Sequence, residues 1–215
     1  MTETKVRILD AAERLFAQEG LDVSIRQITD DAGVNLAAVN YHFQSKEALI
    51  DAVIARRFEP VTKRRFEMLD EVEAAAGNRP LPLEGVIEAF LAPVLAPNRP
   101  GLEHLKPLMG RMYSMPPEFI KRLFQTHLAP VAARFTAALA RAVPGLPESE
   151  CLWRLYFIGG AMVHAINWSG VIPALSNDQA DPCDTTALLA RLVAFAAAGF
   201  RAPVPQLPVK EETHV

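Results

Sequence analysis

Proline is absent from the first 59 residues, although the chain holds 17 of them. Proline breaks helices, so this contrast predicts a compact helical unit at the N-terminus. A larger domain of helices separated by Pro-rich turns should follow it. Cysteine is scarce: Cys151 and Cys183 are too few for a metal cluster or a disulfide framework. Long apolar runs are missing as well. The longest candidate, Leu155 to Val163, is about half the ~18 residues a membrane span needs and ends at His164, so no membrane partner is expected. The first residues, Met-Thr-Glu-Thr-Lys-Val-Arg, carry charge where a signal peptide would be apolar, which predicts a cytoplasmic protein. Catalytic fingerprints are absent too, with no GxSxG, HExxH, phosphate loop or dinucleotide motif. His104, His127 and His164 are scattered and better suited to surface or pocket polarity than to catalysis. An enzyme, a cofactor and a metal site are therefore not expected.

What remains is helix-forming material. Of the 215 residues, 33 are alanine and 24 leucine, 50% are hydrophobic and 22% charged. Such a composition supports a packed core and an all-α fold. The net charge is −3, yet residues 1–65 hold ten basic and ten acidic side chains, so that part is neutral. A neutral unit still binds DNA if its cations line one face, and charge alone neither supports nor excludes this.

In the first unit, Ile8, Leu9, Ala12, Leu15 and Phe16 fall on one helical stripe, and Gly20 stands where a helix cap would. Ser24 and Gln27 have capping-box spacing and open a short helix to Ala32, with Ile25 and Ile28 inward. Gly33-Val34-Asn35 turns the chain, and Asn35 caps a third helix to about Phe43. Ser45 caps a fourth from Lys46 into the seventies, with a kink expected at Pro60. Helix, short helix, glycine turn and short helix is the helix-turn-helix arrangement, whose second short helix enters the DNA major groove. Further helices are expected near 83–96, 102–113, 117–142, 148–169 and 184–200.

The stretch from Asp31 to Leu49, with Ala32-Gly33-Val34, Tyr41-His42-Phe43 and Lys46-Glu47-Ala48-Leu49, resembles the TetR family of transcriptional regulators. The resemblance covers roughly residues 5–55 and includes Ile8-Leu9-Asp10-Ala11-Ala12, Leu15-Phe16, Gly20 and Ile28. It implies a helix-turn-helix domain over 1–50, a connecting fourth helix over 45–75 and a helical effector-binding and dimerisation domain over 51–202, while Pro203, Pro205 and Pro208 read as a flexible tail over 203–215. It also implies a homodimer that binds double-stranded operator DNA and is released by a small ligand. The residues placed against DNA are Ser24, Arg26, Gln27, Asn35, Leu36, Ala37, Ala38, Asn40, Tyr41, His42 and Lys46. Ile28, Val34, Val39 and Phe43 read as core. Alanine methyls can touch a thymine methyl, and the Asn40 amide, standing where the family often has an aromatic, can pair with adenine or bind phosphate. Lys46 adds a cation to the free amides of a helix start, a favourable phosphate site.

The second half is less specific. Met109, Met112, Tyr113, Phe124, Phe135 and Met162 supply adaptable and aromatic surface suited to a small apolar effector, though such residues equally build a core. His127 is a candidate partner for the effector's polar end, as are Arg111 and His164. A weaker resemblance to a proteobacterial branch of the family makes a fatty acid or acyl-CoA the leading effector. The helices near 148–169 and 184–200 are apolar nearly all round and are expected to pair two subunits. Gly160, His164, Trp168 and Ala197 are the expected interface. Cys151 reads as inert packing. The alternative is a helical lipid-binding or carrier protein without DNA binding.

Overall fold

Three early helices begin at side chains that accept their first free amides. The Ser24 hydroxyl accepts from Gln27 N–H at 3.2 Å, Asn35 Oδ1 from Ala38 N–H at 2.9 Å, and the Ser45 hydroxyl from Ala48 N–H at 3.1 Å. These caps set the starts of α2 (Ile25–Ala32), α3 (Leu36–Phe43) and α4 (Lys46–Ala76), behind α1 (Glu3–Glu19). The computed structural model describes residues 2–95, 117–177 and 184–206. Along the rest of the chain lie α5 (Leu83–Leu95), α6 (Pro117–Leu123), a π turn (Phe124–Leu128) and α7 (Ala129–Ala142). After these come α8 (Glu148–Trp168), a 3-10 turn (Ser169–Val171), the short α9 (Ile172–Ser176) and α10 (Thr185–Arg201). The fold is all-α. The helix expected at 102–113 lies outside the described residues.

Two cores form. The first gathers Ile8, Leu9, Ala12 and Phe16 of α1 with Ile28, Val39, Phe43, Leu49, Val53 and Ile54. It therefore runs past residue 50, and it also takes in Leu123 of α6, far along the chain. Burying side chains of this size stabilises by about 1.5–3 kcal/mol each. The second core holds Val61, Leu69, Val86, Leu91, Phe135, Leu139, Cys151, Ile158 and Phe200. Phe90 and Phe135 meet there edge to face, 5.3 Å between ring centres. Burial pushes the Cys151 thiol up, in keeping with a packing role.

Ion pairs fasten α7 to α4. Arg134 donates to Asp70 at 2.9 Å and to Glu73, and Arg141 donates to Glu73 at 2.7 Å. The Arg134 hydrogen bond is the main reason the Glu73 carboxyl lies below the usual carboxylate range. Arg154 is buried on α8, and one of its guanidinium nitrogens donates to the carbonyls of Gly199, Phe200 and Ala202 at 2.8–2.9 Å. A cation thus satisfies the carbonyl end of α10.

Three expectations need correction. The helix over 117–142 is interrupted: Ala129 N–H donates to Phe124 C=O, a wider π-type ring. Pro130 stands in the first turn of α7, and a proline ring crowds the carbonyl four residues earlier, so the preceding turn opens. Next, α8 and α10 are not buried all round. One stripe of α8 (Cys151, Leu155, Ile158, Met162) is in the core, while Trp153, Tyr156, Phe157 and Trp168 are exposed, as is Phe195 of α10. By length and composition Glu148–Ser176 would also suffice to cross a bilayer. Third, Ala197 is only 2% exposed and points into the core. The packing of α10 on α5 and α8 turns Ala194, Phe195 and Ala198 outward instead.

Candidate nucleic-acid interface

The turn between α2 and α3 depends on Gly33, which has φ +61° in the left-handed region. Its N–H donates to Asp30 C=O at 3.2 Å, and the next N–H, of Val34, to Thr29 C=O at 3.0 Å. Glycine adopts this conformation without a Cβ penalty. Arg7 of α1 braces the turn from behind, its guanidinium donating to the carbonyls of Ala32 at 2.6 Å and Gly33 at 2.9 Å. Thr29, buried, donates from its hydroxyl to Arg26 C=O at 2.8 Å. Ser24 and Gln27 complete the capping box, with Ser24 N–H donating to Gln27 Oε1 at 2.9 Å.

With its back held, α3 presents one face. Val39 and Phe43 lock into the first core, and Val34 is partly buried against it. Leu36, Ala37, Asn40 and Tyr41 point to solvent, Leu36 being 54% and Tyr41 83% exposed. These positions are one helical turn apart, so they form a single strip. Ala38 lies on the other side, partly buried against the core, so Ala37 is the methyl offered outward. The rings of Tyr41 and His42 meet edge to face at 5.0 Å, and His42 is partly buried. Between α2 and α3 runs a groove of about 340 Å³ lined by Arg26, Thr29, Asp30, Val34, Asn35 and Leu36.

The structure resolves the charge question left by composition. Away from the strip, cations are neutralised: Arg14 pairs with Asp31, Arg56 with Asp10 at 2.6 Å, Arg57 with Glu13, and Arg64 with Glu67 and Glu71. Lys5 lies over the Phe43 ring at 5.6 Å. Arg26 and Lys46, flanking the strip, make no ion pair among the described residues. Lys46 opens α4 beside its free amides. Glu47 follows it, its carboxylate favoured by its own backbone N–H and then by Ser45. Among the described residues, the neutral unit thus keeps two unengaged cations beside the exposed face, as a surface for phosphate requires.

The other expected residues are spread out. Met109, Met112, Tyr113 and Arg111 lie outside the described residues. Phe135 and Met162 are core side chains, Phe124 is 39% exposed, and His127 sits in the π turn. Gly160, His164 and Trp168 share the exposed face of α8. Sequence reading missed Arg7, whose spacing from the turn is tertiary. It also missed Arg65, buried 4% exposed in the second core, where Nε donates to Phe90 C=O at 2.8 Å and the guanidinium lies 4.1 Å from the Phe90 ring. An arginine in an otherwise apolar register was the available signal.

Comparison with known proteins places these units. Residues 8–53 match the family described as bacterial regulatory proteins, tetR family, and residues 88–199 match the tetracyclin repressor-like C-terminal domain. Over 60 residues the chain is 42% identical to the uncharacterized HTH-type transcriptional regulator TtgW of Pseudomonas putida, covering 27% of this chain and 45% of that one. The chain therefore spans under half the length of that relative. Among solved structures, the fatty acid degradation regulator FadR from Bacillus halodurans is similar at a TM-score of 0.62 and 13% identity, covering 94% of this chain and 99% of that one. The multidrug binding protein EbrR, complexed with malachite green, is similar at 0.53 and 21%, covering 89% and 98%. At these identities the likeness is one of fold.

Proposed function

Because the chain belongs to the TetR family of bacterial regulatory proteins, a family of DNA-binding transcriptional regulators, we propose that it is a homodimeric repressor released from a palindromic operator by a small apolar effector. The observation that carries the reading is the exposed strip of α3, held rigid from behind and flanked by Arg26 and Lys46. In the major groove, the Leu36 side chain and the Ala37 methyl would meet thymine methyls, and the Asn40 amide would pair with adenine N6 and N7. Tyr41, His42, Arg26, Gln27 and Lys46 would hold phosphates, with Ser24 and Asn35 fixing the helix starts.

A second copy is supported by the outward face of α8 and α10. Trp153, Tyr156, Phe157, Gly160, Trp168 and Phe195 together form an apolar patch too continuous for a solvated monomer surface. Pairing two such faces about a two-fold axis brings two reading heads to roughly 34–36 Å, one turn of DNA. The effector would act by population shift, favouring a dimer whose heads no longer match successive grooves. A fatty acid or acyl-CoA is the leading candidate. The FadR neighbour supports that chemistry, while the EbrR neighbour supports a drug or dye such as malachite green.

A gel shift on DNA flanking the protein's own gene tests the reading, repeated with oleate, oleoyl-CoA and malachite green. Specific retention, lost on adding one of these, is the expected result. A chain that binds lipid but retains no DNA would return the reading to a carrier.

A further inference from the structure

The two cores come together along α4. Phe58 of α4 packs against both of them, and beside it the π turn changes the face that its helix presents. Ahead of the turn, Leu123 is buried in the first core with Phe119 packed on it. Behind the turn, Val131 and Phe135 are buried in the second. Arg122 adds a pair with Asp51 at 3.7 Å and lies over the Phe119 ring at 5.2 Å. α6 is thus fastened to the reading head, α7 to the second domain, and the π turn is the joint. π turns are frequent at functional positions, where a locally widened helix is tolerated.

Inside that joint is a polar atom without a partner. His127 lies in the π turn with its ring 6.5 Å from that of Phe58, and its Nε2 is shielded from solvent and makes no hydrogen bond among the described residues. An imidazole nitrogen left so is destabilising, and a partner would recover the lost hydrogen bond. The ring beside it is that of Phe58, and the π turn itself carries the apolar Phe124 and Leu128, so the fitting partner is a mainly apolar molecule with one polar end.

We infer that His127 is the polar contact of the effector, its Nε2–H donating to the acyl oxygen of an apolar carboxylic acid or ester. Filling this position displaces the joint between the two cores, and with it the reading head that Leu123 anchors. The inference rests on the proposed reading that an effector releases operator DNA.

The test uses the full chain bound to operator, titrated with oleate, oleoyl-CoA, methyl oleate and malachite green. Half-release is read relative to each variant's own ligand-free affinity. Oleate, or one of its two esters, should release the wild type, and the three arms separate free acid from ester. His127→Ala should need about tenfold more of that probe, the loss of one hydrogen bond to a buried group. His127→Gln, which keeps an N–H donor, should return to within about threefold. In parallel, the ¹⁵N resonance of His127 Nε2 in the wild type should move on adding oleate without DNA. Release of His127→Ala at the wild-type concentration would overturn the inference. So would an unmoved Nε2 resonance, the sign of a structural water only, or release by malachite green alone. A wild type that retains no DNA removes the proposed function instead, and the resonance titration still decides the site.

Discussion

Replacing Gly33 with alanine attacks the turn that orients the recognition helix, and the structure allows the cost to be worked out. At φ +61° an L-residue is disfavoured by about 1–2 kcal/mol. The added Cβ would also stand 2.8 Å from a guanidinium nitrogen of Arg7, closer than a Cβ sits in real structures. That nitrogen ends a flexible side chain, so it would move rather than the backbone. Moving it sacrifices its hydrogen bonds to the Ala32 and Gly33 carbonyls, one part-buried and one exposed, together about 1–2 kcal/mol. Gly33→Ala should therefore cost about 2–4 kcal/mol. In an Arg7→Ala background the same change should cost only the backbone part, about 1–2 kcal/mol. The two substitutions then couple by roughly 1–2 kcal/mol. Urea unfolding followed by far-UV circular dichroism at fixed chain concentration measures this, with the midpoint falling and the slope unchanged. A loss below about 0.5 kcal/mol, or strict additivity of the pair, would refute the brace.

Lys46→Ala should weaken binding to all DNA about equally and lower the magnitude of the salt slope by roughly one; an unchanged slope removes Lys46 from the phosphate backbone. Gly160→Glu should give folded monomers with weak operator binding, because a Cβ there meets nothing within 4 Å in the protomer; light scattering that still reads a dimer would contradict it. Ala197→Glu should instead unfold the chain, since it places an unpaired charge in the core, and a normal thermal midpoint would say otherwise. Glu73→Gln should destabilise at neutral pH. Because the folded carboxyl is depressed by Arg134, its contribution is present above the unfolded value near 4.5 and is lost as pH falls through the lower folded value. The gap in thermal midpoint between variant and wild type should thus close on acidification, and a gap constant down to that range would mean the pair does not stabilise.

Local chemistry made the reading head legible from the chain alone. Ser24, Asn35 and Ser45 cap within three residues of themselves, and Gly33 is needed where the turn demands a left-handed residue. The apolar stripe of α1 follows from a 3.6-residue period. Contacts of this range are written in neighbouring positions, so α2, α3 and the start of α4 could be placed with no partner in view. Tertiary structure alone decided what depended on distant residues. Arg7 reaches the turn across 25 positions, and Leu123 crosses into the first core from a helix about 70 residues further on. Which faces of two uniformly apolar helices turn outward was equally hidden. Hydropathy does not distinguish Ala197 in the core from Ala198 outside, and only the packing of α10 on α5 and α8 sets that rotation. The π turn lies between the two cases. Pro130 announces a disturbance in the helix, but that the disturbance falls where two cores meet, with His127 inside it, is a property of the folded chain.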